Sequence, residues 1–233
     1  MIKRNDQRWK IAQQYEQNWW ENYHVDIQWY RDVALDIEKL VTPFIKLSEN
    51  THILEIGAGP CGSISFFKSN YRYAIEPLND FFSREYADVR DSHVKYQKGV
   101  GEELPYENCF FDLLIIDNVI DHCLNPEKVI REMKRVLKGG GIIFLRIHIY
   151  HKWGVFIRKI MDLLLIDKGH PHSLTLKKLR NVIKNQNLKI IQLNVDSFLK
   201  RWLADIRMKS VRSVLKSLLF VTSVDLTMLL KKE

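Results

Sequence analysis

Two glutamates and a run of small residues carry the most specific chemistry in this 233-residue sequence. Gly57-Ala58-Gly59-Pro60-Cys61-Gly62 follows the apolar run His52–Ile56 and precedes a second apolar run, Ile64–Phe67. Small residues there let the backbone turn tightly and let a ligand approach the start of the following helix. Glu76 ends the next apolar run, Tyr71–Ile75, and stands 19 residues beyond Gly57. Its carboxylate would sit beside the glycine turn and accept both hydroxyls of an adenosine ribose. A glycine pattern alone matches many loops; strand before, helix after and acid on the second strand together point to a nucleoside-type cofactor. Glu55, two residues before Gly57, adds a negative charge close to the loop. That charge is unwelcome beside a pyrophosphate and suits a cationic amino-acid group, which favours S-adenosylmethionine over NAD.

A second set of candidates is rich in histidine. His148, Tyr150 and His151 follow a later apolar run, where the loops of an open parallel sheet border its crevice, and His170 and His172 lie across a lid. Substrate contact is one use for them. Metal binding is weakly supported, because no acid or cysteine accompanies the spacing, and no metal is expected. Trp9, Trp19 and Trp20 either roof a pocket or pack on a helix face, packing being the commoner role.

These groups need a scaffold, and the hydrophobic pattern supplies one. Residues 7 to 47 recur at spacings of three and four and predict two helices forming a cap. Strands are then expected at His52–Ile56, Tyr71–Ile75, Val94–Gln97, Phe111–Asp117 and Ile142–Ile147, with helices at Asp80–Tyr86 and from Pro126 with an inward stripe of Val129, Met133, Val136 and Leu137. The unbroken apolar run of Phe111–Asp117 suits a strand covered on both faces. Strands alternating with helices predict an α/β chain with a doubly wound, mostly parallel sheet. Beyond it, a lid at 148–172, a helix at Leu174–Asn185, strands at Lys189–Val195 and Asp225–Lys231 and a basic helical insertion at Phe198–Leu219 are expected. The organisation reads as a cap over 1–50, a cofactor-binding core over 51–150, and lid, remaining core and basic insertion over 151–233, one domain overall.

On Ile53–Pro60, Glu76, Gly101-Glu102-Glu103-Leu104-Pro105-Tyr106 with Phe110-Phe111-Asp112, and Arg131-Glu132-Met133 through Leu145, the sequence resembles the class I S-adenosylmethionine-dependent methyltransferases of the broad small-molecule type. The resemblance covers about residues 50 to 150 and is looser from Pro171 to Val195. It implies a Rossmann-like fold in which the backbone of Gly57, Ala58 and Gly59 lines the methionine part of the cofactor. Glu76 becomes the ribose anchor, with Pro77 and Leu78 against the adenine, Gly101 and Glu102 beside its edge, and Asp117 and Asn118 beneath the sulfonium. Two departures stand out: Val100 replaces a frequent acid, and Cys61 stands where many members have a third glycine, with Gly62 one place later. The resemblance also sets Asp121-His122 at the rim of the methyl-donor pocket. A neutral histidine there takes a proton from a hydroxyl or amine, and His151 is a second candidate; the alternative for His122 is a structural bond at a helix start. Asp117-Asn118-Val119-Ile120 lacks the Asn/Asp-Pro-Pro-aromatic run of nucleic acid base methylases.

Composition narrows the setting. With 46% hydrophobic and 27% charged residues, the chain can bury a core. Three cysteines without a paired spacing fit a reducing cytoplasm, and no apolar leader or membrane-length run is read. Residues 1–150 hold 19 Lys and Arg against 22 Asp and Glu, and residues 151–233 hold 17 against 6. That asymmetry suits an anionic acceptor or the inner face of an anionic membrane, or is a merely solvated surface. For the basic stretch from Lys200 to Leu219, burial of its apolar side is favoured over contact with lipid, and RNA is disfavoured. The expected activity is methyl transfer from S-adenosylmethionine to oxygen or nitrogen of a small or carrier-linked acceptor, yielding S-adenosylhomocysteine. The competing readings are an NAD(P)-dependent reductase, for which a catalytic Tyr-x-x-x-Lys is missing, and a binding protein without chemistry.

Overall fold

The computed structural model describes residues 2–163, 171–208 and 210–233. Seven strands form one sheet: β1 (His52–Ile56), β2 (Tyr71–Glu76), β3 (Val94–Lys98), β4 (Phe111–Asp117), β5 (Leu137–Ile149), β6 (Leu188–Val195) and β7 (Val224–Lys232). Their order is β3-β2-β1-β4-β5-β7-β6, parallel from β3 to β5, with β7 antiparallel to both of its neighbours. The order reverses at β1, between β2 and β4, and that reversal opens a crevice at the carboxyl ends of the strands. The helices are α1 (Ile2–Trp20), α2 (Ile27–Val41), α3 (Asn79–Glu85), α4 (Pro126–Val136), α5 (Lys152–Leu163), α6 (Leu176–Asn185), α7 (Phe198–Arg207) and α8 (Val211–Leu218).

Strand alternation sorts the core into two layers. Leu54, Ile56, Leu114 and Ile116 face α4 and α6, where Val129, Met133, Val136, Leu179 and Ile183 meet them. Ile53, Leu113, Ile115 and Phe144 face the other way, onto Val33, Ala34, Ile37 and Val41 of α2. The second helix of the expected cap is therefore a core element. It fills a layer that the segment after β1 leaves open, because Ser63–Phe66 makes only a single 3-10 turn in place of the expected helix. Asp26 caps α2 by accepting from the Trp29 N–H at 3.1 Å, and Asn125 followed by Pro126 starts α4 in the same way.

The same alternation places the acids. Glu55 shares a face with Ile53, Glu76 with Ala74, and Asp117 with Ile115, so all three project from strand ends on the side that α2 covers. The expected C-terminal strands are present, whereas β5 begins five residues earlier than expected, at Leu137, and runs through the glycines at 139–141. The basic insertion is two helices, and burial of its apolar side does not hold: Leu199, Leu203, Leu215 and Leu218 are exposed. Among the described residues no helix is long and apolar enough to cross a membrane.

Candidate functional site

The crevice at the strand reversal is a cleft of about 430 Å³, within the range of small-molecule sites. Its floor is the glycine turn. Gly57 has a φ of +73°, and a Cβ there would lie 2.4 Å from Val119 Cγ2, so no other residue fits that backbone. At Gly59, also left-handed, the open side faces the Tyr30 hydroxyl and Trp20. Arg90 clamps the turn from outside, donating from Nε to the Pro60 carbonyl at 2.8 Å while lying over the Tyr96 ring. Tyr96 donates to the Cys61 carbonyl at 2.7 Å, which fixes the stretch where Cys61 replaces a glycine.

The two glutamates brace this turn from beneath. Glu55 accepts from the N–H groups of Ile64 at 2.7 Å and Ser63 at 3.3 Å, and Glu76 accepts from Gly59 at 3.0 Å and Leu78 at 3.0 Å. Both are buried, and loss of water raises the Glu55 carboxyl to about 7 and the Glu76 carboxyl to about 6. A carboxylate has about four acceptor positions, so two backbone bonds leave Glu76 able to receive ribose hydroxyls as well. Asp117 is held by a two-point ion pair with Arg146, its register partner on β5, through Nε at 2.7 Å and through Nη2. Asn118 beside it is left-handed, with a φ of +53°. Glu102 accepts from the Asn125 N–H at 2.9 Å and so ties the Gly101 loop to the start of α4.

The roof comes from α1 and α2. Trp9, Trp19, Trp20, Trp29 and Tyr30 line the cleft, which assigns the tryptophans of α1 to the roof. Glu16 links roof to rim: it accepts from Trp20 Nε1 at 2.9 Å and lies 3.8 Å from His122 Nδ1. Burial and the surrounding acids push the Tyr30 hydroxyl far above its ordinary value, so it stays protonated. The charged lining consists of Glu16, Asp26, Glu55, Glu76, Glu102 and Asp117, and among the described residues it includes neither lysine nor arginine.

Of the residues singled out from sequence, Glu55, Gly57, Ala58, Gly59, Glu76, Pro77, Gly101, Glu102, Asp117, Asn118 and His122 line this cleft. Gly62 and Leu78 stand behind it, Gly62 against the Glu55 carboxylate and Leu78 as a backbone donor to Glu76. The later histidines are elsewhere. His148 lies against Asp225, its register partner on β7; Tyr150 stacks under Arg158; His151 is exposed with its ring edge against Phe198; and His172 lies against the Leu124 carbonyl at 3.2 Å. His170 lies outside the described residues. Among the described residues no group of three or more His, Cys, Asp or Glu side chains is placed to hold a metal ion. Sequence reasoning missed Tyr30, Glu16, Asp26 and Arg90; of these only Asp26 carries a local signal, as the N-cap of α2.

Residues 54–145 match a family described as a methyltransferase domain. Over 115 residues the chain is 28% identical to sarcosine/dimethylglycine N-methyltransferase of Halorhodospira halochloris, a match covering 45% of this chain and 40% of that protein. The matched stretch thus spans about two fifths of the relative's length. The geranyl diphosphate C-methyltransferase of Streptomyces coelicolor, solved with S-adenosyl-L-homocysteine, superposes with a TM-score of 0.64 at 13% identity, over 86% of this chain and 77% of that one. A phosphoethanolamine N-methyltransferase of Haemonchus contortus superposes at 0.60 with 15% identity, over 86% and 52%. The fold is that of class I methyltransferases.

Proposed function

We propose that this chain, which carries a class I S-adenosylmethionine-dependent methyltransferase domain, moves a methyl group from S-adenosylmethionine to a nitrogen or oxygen of a small or carrier-linked acceptor. The observation that carries this reading is the buried Glu76 carboxylate, hydrogen-bonded to the Gly59 N–H at 3.0 Å and facing a cleft whose acidic side chains stand beneath an aromatic roof. The residues present fit the cofactor: a turn whose Gly57 admits no side chain, a ribose-binding acid at the second strand end, and carboxylates suited to a cationic amino-acid group. Gly57, Ala58 and Gly59 would hold its methionine part, Glu76 its ribose, Pro77, Gly101 and Glu102 its adenine side, and Asp117 with Asn118 the region of the sulfonium. When bound, S-adenosylmethionine supplies an electrophilic methyl group, and transfer leaves S-adenosylhomocysteine.

What the chain's own residues contribute is position and a proton acceptor. The aromatic roof excludes water above the turn, and the Glu16–His122 pair takes the proton released by the acceptor, the carboxylate supporting the imidazolium. His148, His151 and His172, which lie outside the cleft, are not assigned a role in this step. The lining favours a neutral or amine acceptor over an anionic one, because its charged side chains are carboxylates and among the described residues no lysine or arginine reaches the cleft. The carboxylates around the turn are unwelcome beside the pyrophosphate of an NAD(P) reductase.

Titration calorimetry with S-adenosylhomocysteine and with NADH tests the reading. Tight binding of the first and none of the second is expected, with Glu76→Ala weakening it at least tenfold. Undiminished affinity in that variant, or preference for NADH, would overturn the proposal.

A further inference from the structure

Away from the cleft, three helices present apolar stripes to solvent. On α5, Trp153, Phe156 and Ile160 recur at spacings of three and four, and Trp153 is 55% exposed. On α7, Leu199, Leu203 and Ile206 repeat the spacing, with Leu199 61% exposed. On α8, Leu215 and Leu218 do the same, Leu218 at 68%. A helix that folds onto its own domain turns such a stripe inward. Here all three stripes face out.

The stripes belong to one surface. Trp153 Nε1 donates to the Leu219 carbonyl at 3.1 Å, joining α5 to the end of α8. Trp202 Nε1 donates to the Ser217 carbonyl at 3.0 Å, joining α7 to α8. These bonds hold the helices together, and Trp153 stays half exposed while making one of them. The segments 152–163 and 198–219 also carry nine Lys and Arg against two Asp, Arg158 being buried. Lys152, Lys159, Lys200 and Arg207 are exposed beside the stripes. Apolar side chains flanked by cations match one occupant in both respects, the headgroup and acyl boundary of an anionic bilayer. An ordinary protein interface is depleted of lysine instead.

The topology adds a third point. α5 leaves the carboxyl end of β5, α7 leaves the carboxyl end of β6, and β7 returns from α8 at Val224, opposite Ile149. All three helices therefore gather at the end of the sheet that also holds the cleft. We infer that α5, α7 and α8 form a peripheral membrane-docking surface for anionic lipid, which brings the rim of the cleft towards the bilayer. This inference does not depend on the methyl-transfer reading.

Sedimentation of the full chain with vesicles tests it. The chain should pellet with phosphatidylcholine vesicles containing a third phosphatidylglycerol and stay in solution with phosphatidylcholine alone. Lys200→Gln and Arg207→Gln should each lower the partition coefficient about fivefold. Leu199→Ser with Leu218→Ser should lower it at least tenfold, with S-adenosylhomocysteine affinity and melting temperature unchanged as evidence of folding. Equal binding to both vesicle types, or a double variant that binds like the parent, would overturn the proposal. So would light scattering showing a stable dimer that the double variant dissociates, since the surface would then meet a second copy. Failure to bind S-adenosylhomocysteine alongside normal vesicle binding would count against the cofactor reading alone.

Discussion

Glu55 and Glu76 are buried, and their loss of water outweighs the backbone N–H bonds they accept, so the folded chain holds their protons more tightly than an unfolded chain does. Their carboxyls titrate near 7 and near 6 when folded, against 4.5 in the open chain. The sign follows from linkage: stability is full below the ordinary carboxylate range and declines as pH rises from about 4.5 towards 7, levelling off above. At about 1.4 kcal/mol per unit of displacement, Glu55 accounts for a loss on the order of 3 kcal/mol. Glu55→Gln should therefore gain on the parent protein between pH 5 and pH 8, read as the change in the gap between their melting temperatures. A gap that stays constant would show that Glu55 is not protonated in the folded chain. Gly57→Ala has the opposite simplicity: a Cβ 2.4 Å from Val119 at a left-handed φ should cost about 2 kcal/mol or more by denaturant titration. Gly57 and Glu76 were legible in sequence because a strand, a turn and a second strand fix their spacing. Glu16, Tyr30 and Arg90 were not, because each reaches the cleft or its turn from an element whose own pattern speaks only of helix or loop.

Between β1 and β2 the sequence offers the apolar run Ile64–Phe67, which reads as a helix. The chain makes one 3-10 turn instead, because α2 already occupies that face of the sheet and the Glu55 carboxylate pins the N–H groups of Ser63 and Ile64. Periodicity identified α2 as a helix but could not say that it packs on the sheet; only tertiary contact decides that. Ile37, fully buried at the centre of this contact, gives the test: Ile37→Ala should destabilise by about 2 to 5 kcal/mol, as for a core position. A helix acting as a detachable cap would lose well under 1 kcal/mol. Asp26→Ala removes the N-cap and should cost about 1 kcal/mol. Because Asp26 also lines the cleft, that variant should weaken an amine ligand more than a neutral one. The later strands and α6 were legible from the hydrophobic pattern, whereas the outward stripes of α7 and α8 were read as inward, since an amphipathic pattern does not say which side meets water.

On the scale of the whole molecule the charge is divided by site. The cleft holds carboxylates without lysine or arginine among the described residues, while the outer helices beside it at the same end of the sheet are basic and apolar. A field of one sign around a cleft of the other keeps the two kinds of ligand apart: an anionic surface is drawn to the helices and a neutral or cationic group to the cleft. Salt separates them experimentally. S-adenosylhomocysteine has no net charge and binds under a roof, so raising ionic strength from about 0.05 M to about 0.5 M, which shortens the screening length to a few ångströms, should leave its affinity within about twofold. Over the same range, association with anionic vesicles should fall at least tenfold, because the exposed cations that drive it are fully screened. Calorimetry and sedimentation on one preparation measure both. Loss of both affinities in parallel would mean that the cations act on the cleft after all, and that the division of charge drawn from its lining is wrong.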